Sequence, residues 1–128
     1  AATIKEWLLS AEYILEKGNN QVILCERGIR SFDPETRNLL DLGAVALARE
    51  MSHLPVIADP SHALGRKDII EPMSKAAMAC GAYGVMVEVH DVPEEALSDG
   101  AQAMSFDDFN FLMKNLKKMA FSLDIRLP

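Results

Sequence analysis

Cysteine is scarce in this 128-residue chain, with only Cys25 and Cys80. The two follow no paired metal-ligand spacing and sit within apolar segments. They read as buried free thiols, which favours a reducing cytoplasm over secretion. Long apolar runs are absent as well, and nothing approaches the roughly 20 residues of a membrane span. Positive charge is short: 13 Lys and Arg against 19 Asp and Glu leave a net charge of −6. That balance argues against nucleic acid or an anionic membrane as partner, because both need clustered positive charge. It leaves room for a local basic pocket that takes a phosphorylated metabolite. The opening stretch carries Lys5, Glu6 and Glu12 in a helical pattern, not the pattern of a signal peptide. No low-complexity linker or shift of composition divides the chain, so residues 1–128 read as one domain, and 49% hydrophobic residues suffice for a core.

What is present is an alternation of helical and strand patterns. Ile4, Trp7, Leu8, Ala11, Ile14 and Leu15 recur at helical spacing, with Thr3 and Glu6 as a capping box and Gly18 as a stop. "QVILCERG" is a short apolar strand. Asp33-Pro34 then predicts the start of a second helix running to about Met51, with Asp33 as N-cap and Pro34 at the first helical position. "LPVIADPSH" reads as a second strand. A third helix carries Ile69, Ile70, Met73, Ala76, Ala77 and Cys80, with Pro72 in its first turn, where a missing N–H is tolerated. "YGVMVEVH" is the third strand, and Ser105 caps a last helix that buries Phe109, Leu112, Met113, Leu116 and Met119.

Short connections between alternating helices and strands predict an α/β fold with parallel strands and helical crossovers. An open doubly wound sheet and a (β/α)8 TIM barrel both fit that order. All three strands end in residues capable of chemistry: Glu26-Arg27, then Asp59-Pro60-Ser61-His62, then Glu88-Val89-His90. In a barrel every strand's carboxyl end converges on one site, whereas in an open sheet only the switch-point strands do. The barrel is therefore expected. Three strands cannot close one, so the chain reads as about three βα units plus a leading helix, the carboxyl-terminal part of a barrel. A different class of reading makes it a non-catalytic half-barrel whose sheet edges pair with a complementary half or a second copy.

Alternation in the third strand sets Met86, Glu88 and His90 on one face and Val85, Val87 and Val89 on the other. Glu88 then points into the mouth, where a carboxylate needs either an Arg or Lys partner or a metal ion. His62, taken alone, reads as a polar surface or hydrogen-bonded core residue more readily than as a ligand. Together with Glu88 and Asp99 it makes an N/O donor set suited to one divalent ion such as Mn, Fe, Co or Zn. Arg27, directly at a strand end beside Gly28, suits bidentate recognition of phosphate or carboxylate. Arg37 and Lys67 read as solvated loop charges, Cys25 as a packed thiol, and His53 as lying at the opposite end of the strands.

Taken together, "LCERGIRSF", "LPVIADPSHALGR" and "VMVEVHDVPEEALSDG" resemble the last three βα units of the 3-deoxy-D-arabino-heptulosonate 7-phosphate (DAHP) synthase family, in its smaller microbial subtype. The likeness covers nearly the whole chain, including "TRNLLDL". It implies a cytoplasmic, metal-dependent barrel enzyme of the shikimate pathway that condenses phosphoenolpyruvate with erythrose 4-phosphate. It further implies metal ligands at His62, Glu88 and Asp99, catalytic roles for His62 and Glu88, and phosphoenolpyruvate binding by Arg27. It implies a homo-oligomer, and such a family is often fused to or associated with a regulatory domain. Its fourth ligand, a cysteine on the first strand, and its "KPRTS" and "KRG" segments have no counterpart here, so activity is expected of a parent protein and not of these residues alone. The sister synthase that makes 3-deoxy-D-manno-octulosonate 8-phosphate shares "ERG", the His and "ALSDG"; "GIRSF" followed by "TRNLLDL" is closer to the heptulosonate pattern.

Overall fold

A computed structural model describes residues 2–125. Helix α1 spans Ile4–Glu16 and opens on the expected capping box: the Glu6 N–H donates to Thr3 Oγ1 at 3.3 Å, and the Thr3 N–H donates to Glu6 Oε2 at 2.7 Å. Three strands follow, β1 (Leu24–Glu26), β2 (Val56–Ala58) and β3 (Gly84–Val85), parallel and in the order β1-β2-β3. Leu24 pairs with Val56, Glu26 with Ala58, and Ala58 with Val85. Helices α2 (Leu42–Met51) and α4 (Ile70–Ala79) make the crossovers, and α5 (Phe106–Ser122) closes the described part.

Two apolar clusters hold these elements. Leu24, Val56 and Ala58 of the sheet pack against Ala11, Val45, Ala48 and Ala77 of the helices, with Trp7, Leu8 and Leu15 at the margin. Leu112, Leu116 and Ala120 of α5 pack on Ile70 and Met78 of α4, and Val85 touches both groups. The α5 face is as its spacing predicts, with Ser105 as the capping residue, although Phe109 stays half-buried and Ala120 takes the innermost place beside Leu112 and Leu116.

The connections depart from expectation in three places, each for a backbone reason. Helix α2 begins at Leu42 with Asp41 as its N-cap, not at Asp33-Pro34. Residues 29–41 form a loop instead, pinned by the Ile29–Leu39 bridge and by the amides of Arg37 and Asn38, which donate to the carbonyls of Leu64 and Ala63. Asp33 closes a local turn by accepting the Glu35 N–H. The second strand stops at Ala58, and "DPSHAL" folds into a separate short helix, α3 (Pro60–Leu64), with Asp59 as N-cap and Pro60 in the first turn. The third strand leaves β2 after Val85: the Glu88 N–H turns to Ser61 Oγ at 2.9 Å, and residues 88–90 pair with Met104. Both cysteines are free but half-buried, less enclosed than expected.

Candidate functional site

Each strand delivers its last residues to the same rim. At the end of β1, Glu26 is only 7% exposed, and its Oε1 accepts the N–H groups of Gly28 (2.8 Å) and Asp41 (3.2 Å). Burial pushes its carboxyl pKa up, and those two amide bonds pull part of the way back. Gly28 has φ 99°, and a Cβ there would lie 2.8 Å from Asn38 Cβ and 2.9 Å from Ala63 Cα, so the turn requires glycine. That tight turn leaves Arg27 on the rim, 63% exposed, its Nε 3.4 Å from Asp59 Oδ2.

At the end of β2, the Asp59 side chain is wholly buried and its oxygens are fully used. Oδ1 accepts the His62 N–H at 3.0 Å, capping α3, while Oδ2 lies 2.8 Å from His62 Nδ1 and also faces Arg27. The imidazole is thereby turned so that Nε2 faces the neighbouring strand end. It lies 3.6 Å from Glu88 Oε2 and 3.9 Å from Asp99 Oδ2. Asp99 follows the short 3-10 turn Pro93–Glu95 in the loop after β3 and adopts φ 58°, the left-handed region. Its Oδ1 accepts from Gln102 Nε2 at 2.8 Å and from Arg37 Nη1 at 3.3 Å.

The structure thus brings His62, Glu88, Asp99 and Arg27 to one rim from three different βα connections. The coordination edges of a site with bonds of about 2.1 Å run to about 3.0–3.4 Å. The 3.6 and 3.9 Å separations both exceed that range, and among the described residues no group of three or more His, Cys, Asp or Glu is gathered tightly enough to hold a metal ion. The donor chemistry nonetheless fits a cation. With Nδ1 bonded to Asp59, a neutral imidazole turns its Nε2 lone pair toward two partly exposed carboxylates, one nitrogen and two oxygen donors of the kind a divalent ion takes.

Other expectations sort on the same geometry. Arg37 is exposed, as expected of a loop charge, but it is also ion-paired with Asp99 and packed against Gly65. Arg66 is committed to Asp68 through two 2.7 Å bonds. Burial first, then the Asp59 charge, pushes the Cys25 thiol up to about 11, which makes it a packed thiol and a poor nucleophile. His53 precedes β2, at the far end of the strands. His90 turns aside to Asp91 at 2.9 Å. A cavity of about 550 Å³ adjoins the rim, walled by Trp7, Cys25, Glu26, Arg27, Arg30 and Asn38; it shares Arg27 with the rim, but His62, Glu88 and Asp99 do not line it. Sequence reasoning assigned no role to Asp59, Gln102 or Ser61. Only Asp59 carried a signal, an Asp-Pro pair opening a helix; Gln102 and Ser61 act through contacts between segments distant in the chain.

Parallel strands with helical crossovers, with polar side chains gathered at their carboxyl ends, are the architecture of a section of a (β/α)8 barrel. The model of the DAHP synthetase I family matches residues 1–124, and the chain belongs to that family. It is 54% identical over 125 residues to a phospho-2-dehydro-3-deoxyheptonate aldolase of Thermotoga maritima, covering 98% of this chain and 37% of that protein. It is 35% identical over 116 residues to a 2-dehydro-3-deoxyphosphooctonate aldolase of Geobacter sulfurreducens, covering 81% of this chain and 41% of the relative. The crystal structure of the Thermotoga maritima DAHP synthase superposes with a TM-score of 0.97 at 53% identity, over 99% of this chain and 37% of the other. A truncated form of 3-deoxy-D-arabino-heptulosonate 7-phosphate synthase from Thermotoga maritima gives 0.96, over 99% and 48%. The chain therefore spans less than half the length of each of these relatives. Among the described residues no helix is long and apolar enough to cross a membrane.

Proposed function

We propose that this chain supplies the carboxyl-terminal strand ends of a DAHP synthase, in which phosphoenolpyruvate and erythrose 4-phosphate condense to DAHP and phosphate. The observation that carries the reading is the approach of His62 Nε2 to Glu88 and Asp99 on the rim that also bears Arg27. His62, Glu88 and Asp99 would hold one divalent ion, of the Mn, Fe, Co or Zn type, completed by a ligand from outside this chain. When bound, that ion supplies Lewis acidity toward the aldehyde oxygen.

The chain's own residues account for the remaining demands. The Arg27 Nε is occupied by Asp59, which leaves the edge formed by its two Nη groups free for the phosphate or carboxylate of phosphoenolpyruvate. In the reaction C3 of phosphoenolpyruvate bonds to the aldehyde carbon, a water oxygen adds at C2, and the C2–O bond to phosphate breaks. Little covalent work falls on the protein; holding the anion and the aldehyde in line, in a fixed field, carries the rate. The 54% identity to the heptonate enzyme, against 35% to the octonate one, favours erythrose 4-phosphate over arabinose 5-phosphate as acceptor.

His62→Ala, in the full polypeptide encoded by the gene, is expected to reduce metal-dependent turnover to background while circular dichroism stays unchanged. Turnover that persists and still needs metal would remove His62 from the site. Faster turnover of arabinose 5-phosphate than of erythrose 4-phosphate would overturn the choice of acceptor.

A further inference from the structure

We propose that Asp59 is a positioning residue that locks His62 in the Nδ1–H tautomer and thereby aims the Nε2 lone pair at Glu88 and Asp99. The assignment rests on the proposed cation site for its purpose, but on independent geometry for its substance. Asp59 has no exposed surface, and a carboxylate buried so completely is tolerated only when hydrogen bonds occupy its oxygens. Both are occupied, and by donors from the rim: the His62 N–H, the His62 ring and the Arg27 Nε.

A carboxylate only accepts, so at 2.8 Å its Oδ2 requires the proton on Nδ1, and in the neutral ring that leaves Nε2 bare. The backbone bond to Oδ1 fixes the carboxylate plane, and the α3 turn fixes the imidazole above it, so that tautomer and direction are set by one side chain. The Arg27 contact attaches the anion-binding side of the rim to the same oxygen. Partners of this kind orient a ligating imidazole and raise its basicity.

Asp59→Asn tests the assignment, because Asn still caps α3 with its one oxygen. Its amide NH2 then faces Nδ1, which favours the Nε2–H tautomer and puts a proton where a cation would bind. Imidazole nitrogen NMR on the metal-free full polypeptide is expected to show His62 as Nδ1–H in the wild type and to lose that preference in Asp59→Asn. Calorimetry with Zn2+ alone is expected to show affinity falling by about 10- to 100-fold in the variant. A neutral wild-type His62 that carries its single proton at Nε2 overturns the proposal without any variant having to fold. If the wild type binds Zn2+ and Asp59→Asn changes neither tautomer nor affinity, Asp59 is refuted while the cation site stands. If the wild type holds Nδ1–H, Asp59→Asn loses it, and neither binds Zn2+, Asp59 keeps its role and the cation site falls.

Discussion

The two faces of the small parallel sheet differ sharply although they alternate residue by residue. Toward the helices point Leu24, Val56 and Ala58, all buried and all apolar. On the open face, Ile23 is 61% exposed and Met86 46% exposed, and Cys25 and Ile57 are half-buried. The same parity then carries Arg27, Asp59 and Glu88 to the rim. One face therefore holds the chain together, and the other contributes little to its cohesion while bearing the candidate chemistry. Glu26 is the exception. It has the helix-facing parity, and its charge is accommodated only by the two amides it accepts from the loop.

That division can be broken by experiment. Leu24→Ala removes a buried side chain and is expected to cost about 2–5 kcal/mol in urea unfolding, whereas Ile23→Ala, one residue away, should stay within about 0.5 kcal/mol. Equal costs would show that the open face is packed in solution. Glu26→Gln sharpens the exception. Burial raises the folded pKa of Glu26 above its unfolded value, so its stabilising contribution is full at acid pH and is lost as pH rises through the folded pKa. The variant should therefore gain stability over the wild type as pH rises from the carboxylate range toward neutrality, with a flatter profile. A variant that loses stability relative to the wild type as pH rises would overturn this. The smallest effect concerns Cys25: with its thiol held up to about 11, alkylation by iodoacetamide should stay slow at neutral pH and accelerate only in strong alkali. Fast labelling at neutral pH would place Cys25 in a more polar setting than the half-buried one seen here.

Much of this was legible locally. The capping boxes at Thr3 and Ser105, the parallel strands and the polar strand ends depend on neighbours within a few residues or on a period of two, and the structure has them. The Asp33-Pro34 helix start misled because a sound local signal lost to long-range hydrogen bonds: the amides of Arg37 and Asn38 are taken by Leu64 and Ala63. Arg37 is exposed as read, but its partner Asp99 was out of view, since it lies 62 residues on.

The chain by itself determined which residues alternate, which helices can start and stop, and which side chains reach the end of each strand, because pleat, period and capping act over a few residues. Only the tertiary structure decided that Asp59 is buried between Arg27 and His62, that Gln102 grips Asp99, and that Ser61 takes the Glu88 amide. Those contacts join strand ends brought together by crossover helices, and a hydrogen bond has no reach along a sequence, only through space.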